Sequence, residues 1–462
     1  MSQSSLTING SGATVLSIDK NPEENRNKDV EKNDAWDLRR VDSYMDAASI
    51  IEQPPLEMLA DIPDGGYGWV VAVAGFLSNF VVFGVSTIWG VFSQAFATSI
   101  LQGKASTLEL MTVGSTANVC LNIFTPLSVL FVRYGTRFNY GLGSILMCAG
   151  IVLAGFSTEI WQLYLTFGIL FGLGASFVYM SVASVIPQWF TTRRSTAMGI
   201  SSAGTGLGGL ALSPMASSLI EKYGLPWAFR IVGLTCFGIC CLGTLLVKDR
   251  IPRSQRKHLP IKSPIQPSLF KKIDYDIWLV GAVVGLMGYL TPMFYLPKYA
   301  AHIGINDKDS SNLLGIMCAM NAVGRLVFGF VADRIGPLNT FTIASTLAGL
   351  FTFLIWPFAT NYDTLLAYAI LWGFTCGTYY TFAAPVTGSI VGVDKIAPGL
   401  AILFVSSAAS AMGTPIAAAI QASTPHGEYI GIQMFIGAVY VAGAAICLVL
   451  KYKVTRTLIS IY

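Results

Sequence analysis

Charge is what this sequence lacks. Only 12% of its 462 residues are Asp, Glu, Lys or Arg, about half the usual share of a soluble globular chain, which is roughly 25%. That excludes an ordinary water-soluble domain. Histidine is almost missing, with three residues, and the eight cysteines all sit within apolar runs, where a free thiol behaves as a small hydrophobe. No cysteine or histidine pair is spaced like a metal site, and no disulfide framework is suggested. No nucleophile, base and orienting group recur together, so neither enzyme chemistry nor a cofactor or metal is expected. The repeated filter element of a channel is also missing. A basic stretch followed by an apolar one does not open the chain, so a cleaved signal peptide is not expected.

What is present is hydrocarbon. Apolar residues make up 53% of the chain and the mean hydropathy is +0.60. They fall into blocks of about 20, the length a helix needs to cross roughly 30 Å of lipid. A barrel would show alternating segments of about ten residues, and lipid permits only those two designs. The sequence therefore reads as an all-α membrane protein. The expected spans are 70–92, 110–132, 138–156, 161–186, 195–219 and 227–247. After a basic stretch come 277–297, 311–332, 338–358, 364–391, 398–420 and 430–450. Asp64 precedes the first span and is placed to accept its free N–H groups as a cap. The fifth span is crowded with small residues, Gly199, Gly204, Gly206, Gly208 and Gly209 among them, which suits close contact between helices.

The remaining charge is unevenly spread. Residues 1–64 hold 13 acids and 6 bases, net −7, which leaves +11 for the rest of a chain with net charge +4. Residues 1–63 read as a disordered tail. Between Lys248 and Lys272 lie eight bases, one acid and four prolines, and this segment divides the spans into two groups of six. The expected organisation is a tail at 1–63, a six-helix bundle at 64–247, a linker at 248–275, a second bundle at 276–450 and a short tail at 451–462. Bases follow every even-numbered span, as with Arg133, Arg137, Arg193, Arg194, Arg334, Lys395 and Lys451. That side should face the cytosol, and so should both termini. A faint repeat supports the division: Arg133-Tyr134-Gly135 follows the second span as Arg334-Ile335-Gly336 follows the eighth. Duplicated halves around a long middle loop are the plan of alternating-access transporters, whose substrate site lies between the halves.

One charge interrupts the apolar pattern. Arg325 stands inside the eighth span, and a guanidinium at hydrocarbon depth is costly unless it faces a bundle interior or an aqueous path. Asn321, four residues earlier, shares its helix face. If Arg325 instead snorkelled to the interface, it would only set the helix depth. Other candidates for the lining of a substrate path are Thr87, Asn79, Phe83, Asn118, Asn122, Tyr179, Tyr289, Tyr295, Tyr379 and Tyr380. Each could equally be an interhelical hydrogen-bond partner. Taken together they would make an aromatic and neutral-polar cavity suited to an organic solute.

Three stretches carry a family resemblance. Asp64-Gly65-Gly66-Tyr67-Gly68-Trp69 before the first span, Gln188 to Gly208 entering the fifth, and Gly329-Phe330-Val331-Ala332-Asp333-Arg334-Ile335-Gly336 resemble signatures of the major facilitator superfamily. Within it they resemble the monocarboxylate porter family, in the branch of fungal monocarboxylate and riboflavin carriers. The resemblance covers about residues 61 to 450. It implies the major facilitator fold of 12 transmembrane helices in two six-helix halves, and transport of a small organic solute. Animal lactate carriers of that family pair a Lys in the first span with an Asp and an Arg in the eighth. Here the corresponding places hold Thr87, Asn321 and Arg325. Neither Thr87 nor Asn321 can titrate, which leaves Arg325 as a fixed positive charge able to hold a carboxylate in a bidentate fork.

The reading is a secondary transporter of a monocarboxylate-like organic anion. Carriage of riboflavin or another larger, weakly charged metabolite is the alternative, and a non-transporting sensor on the same fold is a further one. Symport with protons would have to run through groups such as His302, Glu109 or Asp333. Asp333, Arg334, Arg133 and Arg194, at the cytosolic helix ends, are the gating candidates. The expected partners are the solute and the bilayer, with no nucleic acid, in a monomer placed in the plasma membrane or an internal one.

Overall fold

The computed structural model describes residues 64–105, 107–131, 134–250, 266–392, 395–424 and 428–455. The tail at 1–63, Arg133, most of the basic linker and the last seven residues lie outside them. Ile62–Tyr462 forms one compact unit, and the described secondary structure is helical throughout.

The helices follow the apolar blocks. They are α1 (Tyr67–Thr98), α2 (Thr107–Ile123), α3 (Thr125–Phe131), α4 (Thr136–Ala154), α5 (Ile160–Leu163), α6 (Gly172–Val185), α7 (Arg194–Tyr223) and α8 (Leu225–Leu246). After the linker come α9 (Ile273–Leu286), α10 (Leu290–His302), α11 (Asp307–Ile335), α12 (Pro337–Leu354), α13 (Tyr362–Cys376), α14 (Thr378–Val391), α15 (Ile396–Ser407), α16 (Gly413–Ser423) and α17 (Ile430–Thr455). Among the described residues, nine helical segments are long and apolar enough to cross a membrane, ten if α2 and α3, bent by 44°, count as one. The two remaining expected spans are helical as well. α7 runs for 30 residues, diluted by Gly and Ser. α13 and α14, of 15 and 14 residues, meet at Gly377 and are each too short to cross alone.

Several spans expected to be continuous are broken, and proline explains three of the breaks. A proline cannot donate to the carbonyl four residues back and its ring crowds that carbonyl. Pro126 thus frees the carbonyl of Asn122, which instead accepts from Thr125 Oγ1 at 2.8 Å, and the helix bends between α2 and α3. Pro292 acts on Gly288, between α9 and α10, and Pro415 acts on Ala411, in the 3-10 turn between α15 and α16. The fourth expected span contains a π-helical stretch at Tyr164–Phe171 joining α5 to α6.

Small residues set the packing around α7. A Cβ added at Gly204 would lie 2.2 Å from the Phe76 carbonyl oxygen, and one at Gly208 would lie 2.2 Å from that of Phe80. Glycine is what lets α7 press onto the backbone of α1.

The expected cap of α1 by Asp64 does not form. Gly66 is the N-cap residue and makes no side-chain bond. Asp64, at φ 43°, turns away to the segment before α7. There its carboxylate accepts the Thr191 amide at 2.6 Å, the Thr192 amide at 2.9 Å, and both threonine hydroxyls. Four donors on one short segment outweigh the single N–H that a helix cap supplies.

Candidate functional site

Arg325 lies ten residues before the end of α11, about 15 Å along the axis. It is buried, at 1% exposure, so it does not snorkel to an interface. α11 can bring it against α7 because neither helix has a side chain where they cross. A Cβ at Gly199 would stand 2.6 Å from the Arg325 carbonyl oxygen and 3.1 Å from the Gly329 Cα.

The guanidinium is held entirely by neutral groups. Nε donates to Asn321 Oδ1 at 2.7 Å, Nη1 to the Ser202 carbonyl and to Thr205 Oγ1, both at 3.2 Å, and Nη2 to Tyr289 OH at 3.0 Å. The Tyr380 ring faces it, with the guanidinium carbon 5.7 Å from the ring centre. Among the described residues no carboxylate contacts it; the ion pairs found elsewhere are Lys104 with Glu159 and Lys453 with Asp274. Burying an ion costs several kcal/mol after relaxation. Four hydrogen bonds to a charged group, at about 1.5–3 kcal/mol each, offset that cost. None of these partners carries a charge of its own.

Gly377, between α13 and α14, makes room for this cluster. A Cβ there would meet Arg325 Nε at 2.6 Å and the Asn321 amide at 2.8 Å. Asn321 Nδ2 in turn donates to Cys376 Sγ at 2.9 Å. A wall of rings continues outward from the guanidinium. Tyr289 lies 5.8 Å from Tyr380, Phe83 lies 5.0 Å from Tyr380 and 5.4 Å from Tyr179, and Tyr379 packs 5.0 Å from Tyr380 and bonds Ser407. A cavity of about 10 Å³ adjoins it, lined by Leu286, Tyr289, Cys376, Thr378, Tyr379 and Tyr440. That is room for about one water.

Of the sequence candidates, Arg325, Asn321, Phe83, Tyr179, Tyr289, Tyr379 and Tyr380 come together. The others do not join them. Thr87 bonds its own helix at the Phe83 carbonyl, and Asn118 and Asn122 bond the carbonyls of Gly114 and Asn118. Each donates one turn back, as isolated polar residues in apolar helices do, while the buried Asn122 Oδ1 has no hydrogen-bond partner among the described residues. Asn79 bonds the Gly75 carbonyl and Ser201, tying α1 to α7. Tyr295 belongs to a separate cluster with Tyr429, 6.4 Å away. The sequence reading missed Ser202, Thr205, Cys376 and Gly377. Ser202 reaches the guanidinium through its main-chain carbonyl, which no side-chain pattern reports.

The gating candidates gather where the basic helix ends meet. Asp333 accepts the Ser195 amide at 2.8 Å and the Thr196 amide at 2.9 Å, so α11 caps the first turn of α7. It therefore engages α7 instead of Arg334, whose guanidinium lies over Phe330 of its own helix at 4.4 Å. Arg194 donates to the Phe190 carbonyl at 3.2 Å; Arg133 lies outside the described residues. Of the proton candidates, His302 sits against Tyr429, 5.2 Å away, and Glu109 is in the first turn of α2. Neither contacts Arg325.

The chain matches the family model of the Major Facilitator Superfamily over residues 71–397 and over residues 278–459. The chain belongs to that superfamily. It is a multi-pass membrane transporter, and not an enzyme. It is similar to the probable transporter MCH2 of Saccharomyces cerevisiae, 27% identical over 398 residues, which are 84% of this chain and 82% of that protein. It is also similar to the aspyridones efflux protein apdF of Emericella nidulans, 28% identical over 410 residues, 86% of this chain and 80% of that one. Among solved structures, the human organic anion transporter MFSD10 superposes with a TM-score of 0.63 over 86% of this chain and all of its own, at 14% identity. At that identity the likeness is one of fold.

Proposed function

We propose that the chain is a secondary carrier of a small monocarboxylate-like organic anion, working by alternating access, and that Arg325 binds the anion. The observation that carries this reading is a buried guanidinium whose hydrogen-bond partners are all neutral. A fixed cation in that setting favours a ligand of opposite charge, and its planar fork matches a carboxylate. Asn321, Thr205 and Tyr289 would hand the fork to the anion when it enters, while Phe83, Tyr179 and Tyr380 would pack against its carbon skeleton. Membership of the monocarboxylate porter branch is part of this reading, supported by the glycine-rich motif at 64–69. Similar proteins include an efflux protein for aspyridones and an organic anion transporter, and an organic solute as cargo accords with both.

A larger, nearly neutral solute such as riboflavin is the second reading, and the ring wall from Phe83 to Tyr289 favours it. In either case the halves at 64–247 and 276–450 would rock about the arginine, with Asp333 and Arg194 at the cytosolic gate, as a monomer with both termini in the cytosol and the plasma membrane as its site. The test is uptake and efflux of labelled monocarboxylates, dicarboxylates and riboflavin in cells lacking related carriers, with Arg325→Ala beside wild type at matched membrane abundance. Flux of one anion, lost in the variant, is the expected result. Flux of riboflavin that survives Arg325→Ala would move the site to the aromatic wall, and no flux of any solute would favour a sensor.

A further inference from the structure

We infer that the cargo is an aryl carboxylate, an anion whose carboxylate is joined directly to an aromatic ring, and that the site selects it over a saturated acid of the same size and charge. This names the cargo class for the anion-carrier reading above and rests on that reading. Two observations carry it.

The first is that the charge and the rings are contiguous. Tyr289 touches the guanidinium through its hydroxyl, which accepts from Nη2 at 3.0 Å, and Tyr380 through its ring, whose centre is 5.7 Å from the guanidinium carbon. Those two rings lie 5.8 Å apart with their planes at 67°, and Phe83 lies 5.0 Å from Tyr380. The cation that favours an anion and the ring wall that favours a flat solute thus form one surface, and one ligand can meet both. An aryl carboxylate does so with little freedom to lose. Conjugation holds its carboxyl close to the plane of the ring, so the fork that orients the carboxylate orients the ring as well.

The second observation is where the ring contacts fall. Phe83 on α1 and Tyr179 on α6 come from before the basic linker, Tyr380 on α14 and Phe404 on α15 from after it. Three ring pairs cross between these groups: Phe83 with Tyr380 at 5.0 Å and 57°, Tyr179 with Phe404 at 5.3 Å and 71°, and Tyr179 with Tyr380 at 6.4 Å and 84°. The last two meet edge to face, the positive rim of one ring against the negative face of the other. Alternating access parts the two groups of helices, and with them the members of each pair. A cargo ring lying between them gives each side a ring to pack against again, worth roughly two- to tenfold in affinity for each pair beyond the area it buries. A saturated ring covers a similar area but has no quadrupole, and recovers none of that gain.

The experiment titrates the purified full-length chain in detergent, by calorimetry, with benzoate, cyclohexanecarboxylate, pyruvate and lactate. Benzoate and cyclohexanecarboxylate share a carbon skeleton and a charge and differ in the π system. Benzoate is expected to bind roughly fivefold more tightly or better, and Arg325→Ala to lose both. Phe83→Leu and Tyr179→Leu, each replacing a ring by an apolar side chain, are expected to shrink that preference to about twofold or less, with size-exclusion chromatography reporting whether each variant is folded; should neither fold, the wild-type ratio decides. If wild type binds the two ring acids equally, if folded ring variants keep the full preference, or if only pyruvate or lactate binds, the aryl inference falls while the anion-carrier reading stands. If no acid binds, or if Arg325→Ala binds them unchanged, both fall.

Discussion

Arg325 and Asn321 are one helical turn apart and joined by a 2.7 Å hydrogen bond, so the character of the site hangs on the difference between an amide and a carboxylate at position 321. Asn321→Asp would put a negative charge on Arg325 Nε and supply from within what the anion supplies from outside. Flux of the transported anion is expected to fall about tenfold or more at pH 7, with the loss mainly in KM, and Asn321→Ala is expected to cost less. Equal kinetics for Asn321→Asp and wild type would mean that the anion does not reach the guanidinium. This pair was legible in the sequence because a charge in an apolar run is rare and helical spacing names its neighbour. Ser202 and Thr205 were not legible. Ser202 meets Arg325 through its main-chain carbonyl while its hydroxyl bonds the Gly199 carbonyl and Thr381; a Thr in a membrane helix usually bonds the carbonyl one turn back, as Thr87 does with Phe83, so nothing in the sequence marks Thr205. Asn118 and Asn122 stand apart from the Arg325 cluster, and their amide nitrogens donate within α2.

At the scale of whole helices, the sequence located the apolar blocks but not where they break. Pro126, Pro292 and Pro415 stand beside breaks, yet Pro214, Pro297 and Pro385 lie within α7, α10 and α14 without ending them. Proline frees a carbonyl at every one of these positions; whether the helix then opens depends on what neighbouring helices offer that carbonyl. The break between α13 and α14 has a different cause. Gly377 is where two helix ends yield to the side chains of Arg325 and Asn321, and any Cβ there falls inside their van der Waals radii. Gly377→Val is therefore expected to abolish anion flux while the protein still reaches the membrane, and Gly377→Ala to retain part of it. Surface biotinylation reports the abundance and labelled efflux the activity. Unimpaired flux in Gly377→Val would show that the cluster rearranges freely around this junction.

Across the molecule, aspartates tie together the helix ends at its basic face: Asp64 holds Thr191 and Thr192, Asp249 holds the first turn of α4, and Asp333 holds that of α7. The basic asymmetry was plain in the sequence, but these ties were not, because each spans more than a hundred residues. Partial burial works against the Asp64 carboxylate, but the hydroxyls and amides of Thr191 and Thr192 outweigh it and hold the group at about 2, below its ordinary 3.8. A carboxyl lowered on folding adds stability that is fully present above pH 3.8 and is lost as the pH falls through about 2. Asp64→Asn should therefore melt at a lower temperature than wild type in detergent at pH 7, with the gap narrowing between pH 4 and pH 2. A gap that stays constant with pH would assign the effect to shape instead of charge. Under the proposed gating role, Asp333 is the tie that would bear on transport. Its counterpart in the sequence repeat, the residue before Arg133, is Val132, which carries no carboxylate. Opening the basic face requires α7 to leave α11, and with it two charge-assisted hydrogen bonds. Asp333→Asn keeps the size of the side chain but removes the charge and one acceptor. Spin labels at the basic ends of α7 and α11 should then show a longer, broader distance distribution, and transport should slow because the closed state that the carrier must revisit is less populated. An unchanged distance distribution together with unchanged flux would leave Asp333 as a helix cap with no part in the gate.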